Sequence, residues 1–600
     1  MLSYLEFKIL IQCLNTVTIT QEIIVEITKS SLEIVDDTIQ NMIQKGWLNE
    51  KLQITSQGLE ALKPYKVKNA IIMAAGMSSR FAPLSYEKPK ALLNVKGEIL
   101  IEREIRQLQE KGITDITLVV GYRKEQMYYL ADKYKIDLVI NEDYYRYNNT
   151  STLMLITEKL DNTYLCSSDN YFVENPFEPY VYRSYYSAVY EDGETEEYCL
   201  TVNEEDRITS VSIGGKASWY MVGHVYFDRE FSKKFVAILK KEYKNSWTKE
   251  QLWENLYLRY IKELDLYIRR YDVNLIKEFD SLEDLRKFDK DYLRHSNSKI
   301  FLNICKILHC KEQEIIGIHP TKTGLTNLSF QFTCKGKSYV YRHPGVGTDA
   351  YINRASEAES MQIAKKLHLD DTFLYIDPKE GWKLSYYIEQ ARTLNYHKEE
   401  EVKKALSMLN TLHQSGARTS QVFDIYKEIC KFEAILEQSH RTDFEDMPEM
   451  SKDIKMLYEL VEKDGIEKCL CHCDSYNPNF LLDTENKMYL IDWEYSGMSD
   501  PGCDLGTFIA CSDYSIEQAD RILELYLGHE PNCIELRHYI AYIAIAAFYW
   551  FIWALYQDSL GKNVGSYQYL WYRCTKKYSK RALKLYHKLK MEKKLNMEEK

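Results

Sequence analysis

The sequence predicts a multidomain α/β and α+β protein, and three observations carry that expectation. Six hundred residues exceed what a single hydrophobic core supports, so two or more domains are required. In the first half, an apolar run feeds the small-residue loop Ala74-Ala-Gly76-Met-Ser-Ser-Arg80 and then strand-like and helix-like segments alternate. In the second half, alternating strands around a glycine-containing turn precede long helical segments and two short acidic motifs, His472-Cys-Asp474-Ser-Tyr-Asn-Pro-Asn479 and Leu490-Ile-Asp492-Trp-Glu494. The expected domains are 1–66, 67–292 and 293–600.

Composition excludes several classes. With 45% hydrophobic and 28% charged residues, the chain is globular rather than disordered or fibrous. A formal net charge of −11 argues against nucleic acid as a partner of the chain as a whole. The 14 cysteines form no spaced framework. The Cys471-x-Cys473 spacing brings no second ligand cluster for zinc, so reduced thiols and a cytoplasmic setting are expected. No basic n-region precedes an apolar stretch at the N-terminus. Tyr539–Tyr556 is almost wholly apolar and nearly long enough to cross a bilayer, but its aromatic density reads as a buried helix, and no membrane span is expected.

The first 66 residues carry three helical patterns, Leu5–Asn15, Thr20–Thr28 and Ser31–Lys45. Thr20 and Ser31 are suited to cap them, with Ile23, Ile24, Leu32, Val35 and Ile39 facing inward. A charged turn through Glu50-Lys51 leads to Leu52-Gln-Ile54-Thr-Ser-Gln-Gly58. This order resembles a winged helix-turn-helix. A DNA-binding regulator would read DNA with the third helix, yet that helix offers Glu33, Asp36 and Asp37 to a phosphate backbone. A packing or dimerisation module, which admits a homodimer, is the expectation.

In the segment 67–292, a buried strand, a loop of small residues and a helix start form a parallel α/β opening. At Ala74, Ala75 and Gly76 the small side chains let backbone N–H groups approach a triphosphate, which Arg80 and Lys90 neutralise. The strand Leu165-Cys-Ser-Ser-Asp169 ends in a carboxylate at the edge where open α/β sheets place chemistry, and its hard oxygens suit Mg²⁺. The loop together with Lys88-Pro-Lys90-Ala-Leu92 resembles the sugar-phosphate and alcohol-phosphate nucleotidyltransferases, whose fold is a Rossmann-like mixed sheet. Glu110-Lys-Gly-Ile-Thr-Asp-Ile, Val120-Gly-Tyr-Arg-Lys-Glu-Gln, Tyr147-Asn-Asn-Thr-Ser, Ser168-Asp-Asn-Tyr, Leu252-Trp-Glu-Asn and Ile261-Lys-Glu-Leu-Asp-Leu-Tyr narrow it. These stretches resemble bacterial CTP:phosphocholine cytidylyltransferases. The resemblance implies that Asp169 and Glu254 hold the metal and that Tyr198 and Glu278 face a trimethylammonium group. It places Asn148 and Asn149 near the base.

From 293 to 600, a glycine-containing turn through Thr326-Asn327 and the strand Tyr339-Val-Tyr-Arg342 read as a phosphate-covering hairpin and a basic strand residue, with Glu357 the partner of Arg342. Asp474 and Asn479, then Asp492, follow the order of a protein-kinase-like catalytic loop and metal site. Asp474 would orient the substrate hydroxyl, and Asn479 and Asp492 would hold Mg²⁺. Glu494 comes two residues later, and Trp550 and Trp553 share one face of the apolar helix. The segment resembles choline/ethanolamine kinases, and that resemblance makes Glu494, Trp550 and Trp553 the choline pocket.

The two resemblances imply a bifunctional route to CDP-choline. Choline is phosphorylated by ATP, then phosphocholine is coupled to CTP with release of pyrophosphate. Ethanolamine or an aminophosphonate in place of the choline compounds is the alternative.

Overall fold

The computed structural model describes residues 2–598 apart from 17–18, 79–80, 291, 293–295, 297, 322–326, 346–351, 439–443 and 560–563. Arg80 and Thr326 therefore lie outside the described residues. The chain divides into two compact units, Met1–Leu302 and Asn303–Lys600.

The first unit begins with helices Tyr4–Asn15, Gln21–Thr28 and Leu32–Gln44, whose first turns are closed by the side chains of Ser3, Thr20 and Ser31. A bridge between Leu48 and Ile54 closes the next turn, and helix Ser56–Leu62 completes the module. Ile9, Leu10, Ile24, Val35, Ile39 and Met42 form its core. Two residues expected inside are outside: Ile23 is 40% and Leu32 56% exposed. The short second helix buries only Ile24, and its neighbour is rotated about 100° away. Leu32 opens its helix, one turn before the buried stripe Val35, Ile39, Met42 begins. The stacked rings of Tyr65 and Tyr182, 5.5 Å apart, tie the module to the rest of this unit. The Tyr65 hydroxyl accepts the Leu2 N–H at 2.9 Å.

The remainder of this unit is a Rossmann-like mixed sheet of seven strands. Their order is Tyr267–Arg270, Tyr185–Val202, Ile208–Phe227, Thr163–Ser167, Asn69–Ala74, Ile116–Val120 and Asp137–Ile140. Asn69–Ala74 lies between parallel neighbours on both sides, which is why it is apolar from Ala70 onward. Ala70 and Ile72 pack with Ile101, Ile105 and Leu108 on one face, and Ile71 packs with Leu153, Phe235 and Trp253 on the other. The long hairpin Tyr185–Val202/Ile208–Phe227 enters antiparallel, on Thr163–Ser167. Gly121 permits one close approach, because a Cβ there would stand 2.8 Å from the Ala75 carbonyl oxygen.

The second unit opens with a five-stranded antiparallel sheet ordered Ile315–Pro320, Asn327–Cys334, Lys337–Pro344, Lys383–Tyr386 and Phe373–Ile376, accompanied by helix Arg354–Lys366. A helical lobe comes next. Its axis is Cys533–Ser559, which by length and composition alone passes for a membrane span but has 89% of its most apolar window buried in this fold. A helix apolar on every side is covered on every side. Gly506 brings helix Gly502–Ala510 against its backbone, where a Cβ would meet the Tyr542 carbonyl oxygen at 2.4 Å.

One polar residue of that axis, His538, is fully buried, 3.0 Å from Asp500 and 3.4 Å from Asp464. Burial alone would lower its pKa, but the two carboxylates outweigh burial and raise it to about 9. A proton held more tightly in the folded state stabilises fully below the unfolded pKa of about 6.5 and ceases to do so as pH rises through 9. His538→Gln is expected to cost roughly 3 kcal/mol of this unit's stability near pH 6, and much less near pH 10. Urea unfolding at both pH values checks this, and equal losses would show that the charge is not what matters.

Candidate active sites

In the first unit, the loop after Asn69–Ala74 and the strand ending Thr163–Ser167 flank a cleft of about 470 Å³, lined among others by Ala74, Ala75, Gly76, Lys90, Asn148, Asn149 and Asp169. Lys90 Nζ lies 3.0 Å from Asp169 Oδ2 with only 8% of its side chain exposed. Burial opposes ionisation of Asp169, yet the Lys90 charge and hydrogen bond prevail and hold the carboxyl below its ordinary pKa. Asn148 caps helix Asn149–Leu155, and Asn149 Oδ1 accepts the Trp253 N–H at 2.7 Å, fixing the start of the helix that carries Glu254.

Glu254 Oε1 accepts the Tyr186 hydroxyl at 3.2 Å, and burial pushes its pKa up to about 7. Glu278 pairs across the short two-stranded ladder with Asn170, beside Asp169. Enclosure of its carboxyl and then the Asp169 charge raise it to about 8, although the residue keeps an exposed surface. Tyr198, half-buried, donates its hydroxyl to Asn255 at 3.4 Å. Asp169 Oδ1 and Glu254 Oε2 are buried without a hydrogen-bond partner. Orphaned hard oxygens of this kind fit a divalent cation, at Asp169 on the wall of the cleft and at Glu254 on the helix tied to that wall through Asn149. Tyr186 was not legible in the sequence, where it is one tyrosine among 49.

In the second unit, Arg342 on strand Lys337–Pro344 is bound through one nitrogen to both oxygens of Glu357, at 2.6 and 2.7 Å. Its other terminal nitrogen lies 3.5 Å from Asp492 Oδ1 and 3.7 Å from Glu494 Oε2. Asn479 Nδ2 donates to the Asp474 carbonyl at 2.8 Å and to its carboxylate at 2.9 Å. Asp474 is buried, and burial together with the Asp492 charge raises its pKa well above the carboxylate range. Asp492 has a left-handed backbone, φ 67°, uncommon for a non-glycine residue and concentrated at functional sites. This crowd of acids around the Asn479 amide, in which the Asp492 charge helps raise the pKa of Asp474 and of Glu494, fits a divalent cation that would relieve it.

Two features were not read from the sequence. Asp504 is buried and accepts the backbone N–H groups of His472 at 2.8 Å and Cys473 at 2.7 Å, so it clamps the residues just before Asp474. A carboxylate at Asp500-Pro-Gly-Cys-Asp504, a few residues after the Asp492 motif, was its available signal. The aromatic cluster is also larger than two tryptophans. Trp550 meets Tyr495, Trp553 and Trp571 with ring centroids at 6.1, 5.5 and 5.9 Å. Trp571 stacks on Tyr567, whose hydroxyl donates to Asn477 in the catalytic loop at 3.2 Å. The i, i+4 spacing of Tyr567 and Trp571 was the missed signal. The Glu494 carboxylate is engaged by Asn327 Nδ2 at 2.8 Å and lies 3.7 Å from Arg342, and its neighbour Tyr495 meets the Trp550 ring.

Residues 318–578 match the Choline/ethanolamine kinase family, and residues 70–204 match the MobA-like NTP transferase domain. The Choline-phosphate cytidylyltransferase of Streptococcus pneumoniae is 38% identical over 228 residues, 38% of this chain and 99% of the relative. The 2-aminoethylphosphonate cytidylyltransferase of Lancefieldella rimae is 34% identical over 229 residues, 38% of this chain and 93% of the relative. Protein LicA of Haemophilus influenzae is 30% identical over 255 residues, 41% of this chain and 74% of the relative. With its first unit carrying the Lys90–Asp169 cleft and its second the Asp474–Asn479–Asp492 loop, the chain belongs to the choline-phosphate cytidylyltransferase family in one part and to the choline/ethanolamine kinase family in the other.

Proposed function

We propose that the protein makes CDP-choline in two steps: ATP phosphorylates choline at the Asp474 site, and phosphocholine takes a cytidylyl group from CTP at the Lys90 site. The observation that carries this reading is that each compact unit holds its own phosphate-handling site with its own acid cluster. In the kinase step Asp474, oriented by Asn479, accepts the choline hydroxyl proton as that oxygen attacks the γ-phosphorus. Arg342, held by Glu357, would neutralise the nucleotide phosphates. In the transfer step a phosphocholine oxygen attacks the α-phosphorus of CTP in line and pyrophosphate departs. Lys90 neutralises charge growing on the phosphates, and the amides of Ala75 and Gly76 line their path. Asp169 and Glu254 in one site and Asn479 and Asp492 in the other would hold Mg²⁺, which would supply charge neutralisation of the transferring phosphates.

Trp550, Trp553, Trp571 and Tyr567 form the kinase's receptor for a quaternary ammonium. A trimethylated head loses little hydration among aromatic rings, whereas a primary ammonium leaves hydrogen bonds to water behind. Trp553→Ala is expected to raise the choline KM by about tenfold, the factor implied by 1–2 kcal/mol of cation–π attraction, with the ATP KM unchanged. Steady-state kinetics with each substrate varied test it. Equal losses for both substrates would leave the tryptophans as core only, and equal turnover of ethanolamine by the wild type would remove the choline assignment.

The N-terminal module has the helix order of a winged helix-turn-helix, and we assign it to packing or self-association. Its third helix offers acidic Glu33, Asp36 and Asp37, and the exposed apolar residues Ile23, Ile27, Leu32 and Ile34 suit a protein surface better than DNA. A monomeric mass in solution at micromolar concentration would remove the homodimer.

A further inference from the structure

The cysteines of the second unit hold an arrangement that neither proposed reaction uses. Strand Cys469–Cys471 pairs antiparallel with Gly497–Ser499. Alternate residues of a strand share a face, so Cys469 and Cys471 present their sulfurs side by side, 3.7 Å apart. Cys473 leaves this face, because the chain turns through a left-handed backbone there, φ 65°. His413, the last residue of helix Glu399–His413, supplies the third group, and its ring nitrogen and the two sulfurs lie within 4.8 Å of one another. Spacing along the chain shows the thiols but not the histidine, which comes from a distant helix end.

The geometry matches one ligand class. Two thiolates bound at about 2.3 Å to a single tetrahedral Zn²⁺ stand roughly 3.8 Å apart, close to the separation found. The histidine is already prepared. Asp504 Oδ2 lies 2.8 Å from His413 Nε2, and a carboxylate only accepts, so Nε2 carries a proton and Nδ1 is the nitrogen left to ligate a metal. Nδ1 now faces the Tyr526 hydroxyl at 2.7 Å. A carboxylate behind a ligating imidazole is the usual support of a zinc histidine. Access is provided by a cavity of about 610 Å³ lined in part by His413, Cys469, Tyr526 and Tyr539.

We propose that His413, Cys469 and Cys471 bind a thiophilic divalent transition metal, Zn²⁺ above all, with the fourth position open to the cavity. Binding replaces the two thiol protons, which pass to solvent, and turns the Tyr526 hydroxyl away from Nδ1. No oxidation is involved. Asp504 links the site to the catalytic loop, since the same carboxylate receives His413 and the backbone N–H groups of His472 and Cys473. A cation on Nδ1 makes the Nε2 proton a stronger donor and draws Asp504 toward His413, loosening its hold on the loop. The ion therefore slows phosphotransfer, a consequence that rests on the kinase reading, whereas occupancy of the site does not.

The full-length protein, freed of metal and fully reduced, is titrated with Co²⁺ in the presence of excess Mg²⁺. Thiolate-to-cobalt charge-transfer absorption saturating at one equivalent is expected, with release on adding Zn²⁺, and with loss of the band in Cys469→Ser and in Cys471→Ser. Circular dichroism and a urea unfolding transition of the second unit that match the wild type report that these variants are folded. No band in the wild type, or a band that survives both substitutions, overturns the site. In the same preparations Zn²⁺ is expected to slow ATP-dependent phosphorylation in the wild type and not in Cys469→Ser, and equal slowing in both overturns the coupling through Asp504.

Discussion

Asp474→Asn is expected to lower the kcat of ATP-dependent choline phosphorylation by about 10³-fold, while cytidylyl transfer from supplied phosphocholine continues at the wild-type rate. The substitution keeps the shape of the side chain and removes its ability to take the hydroxyl proton. It also leaves the surrounding fold intact, because the backbone of the loop is held by Asp504 and the Asn479 amide still bonds the residue 474 carbonyl. The substituted amide is buried where a carboxyl already carries a raised pKa from burial and from Asp492, so folding gains rather than loses from a neutral group. Separate assays of ADP and of pyrophosphate release distinguish the two steps. A folded variant that has lost both activities would contradict two independent sites.

Lys90→Ala is expected to have the converse effect, with cytidylyl transfer falling by about 10²- to 10³-fold and phosphocholine accumulating when choline, ATP and CTP are all supplied. Two causes act together. The positive charge 3.0 Å from Asp169 is lost, and with it the influence that keeps this buried carboxyl ionised against burial. Asp169 then becomes a poorer ligand for a divalent cation at neutral pH, so raising the pH is expected to restore part of the loss. Undiminished consumption of CTP by this variant would show that the transferase cleft lies elsewhere.

The two large architectures were legible because each announces itself in short-range pattern. A strand with parallel neighbours on both sides reads as a near-continuous apolar run, and the stretch 70–74 does; its small-residue exit loop and Lys90 then fall on one cleft. Asp474, Asn479 and Asp492 stand in fixed order on consecutive turns and strands, so sequence distance translates into spatial closeness. What could not be read were groups whose role comes from long-range packing. Asp504 reaches back 31 residues to the Cys473 amide. Trp571 joins Trp550 from another helix, and His413 meets the thiols of Cys469 and Cys471 from a helix end far upstream. Periodicity overstated the inward face of the first helices, because Ile23 and Leu32 lie where no partner element covers them.

The most direct test is a single incubation of the wild-type protein with choline, ATP, CTP and Mg²⁺, and then identification of the products by mass. Formation of ADP, pyrophosphate and CDP-choline, with phosphocholine appearing first and then declining, is the predicted result. Phosphocholine that accumulates without CTP consumption, or CDP-choline that forms only when phosphocholine is added from outside, would contradict the assignment of both steps to this one chain.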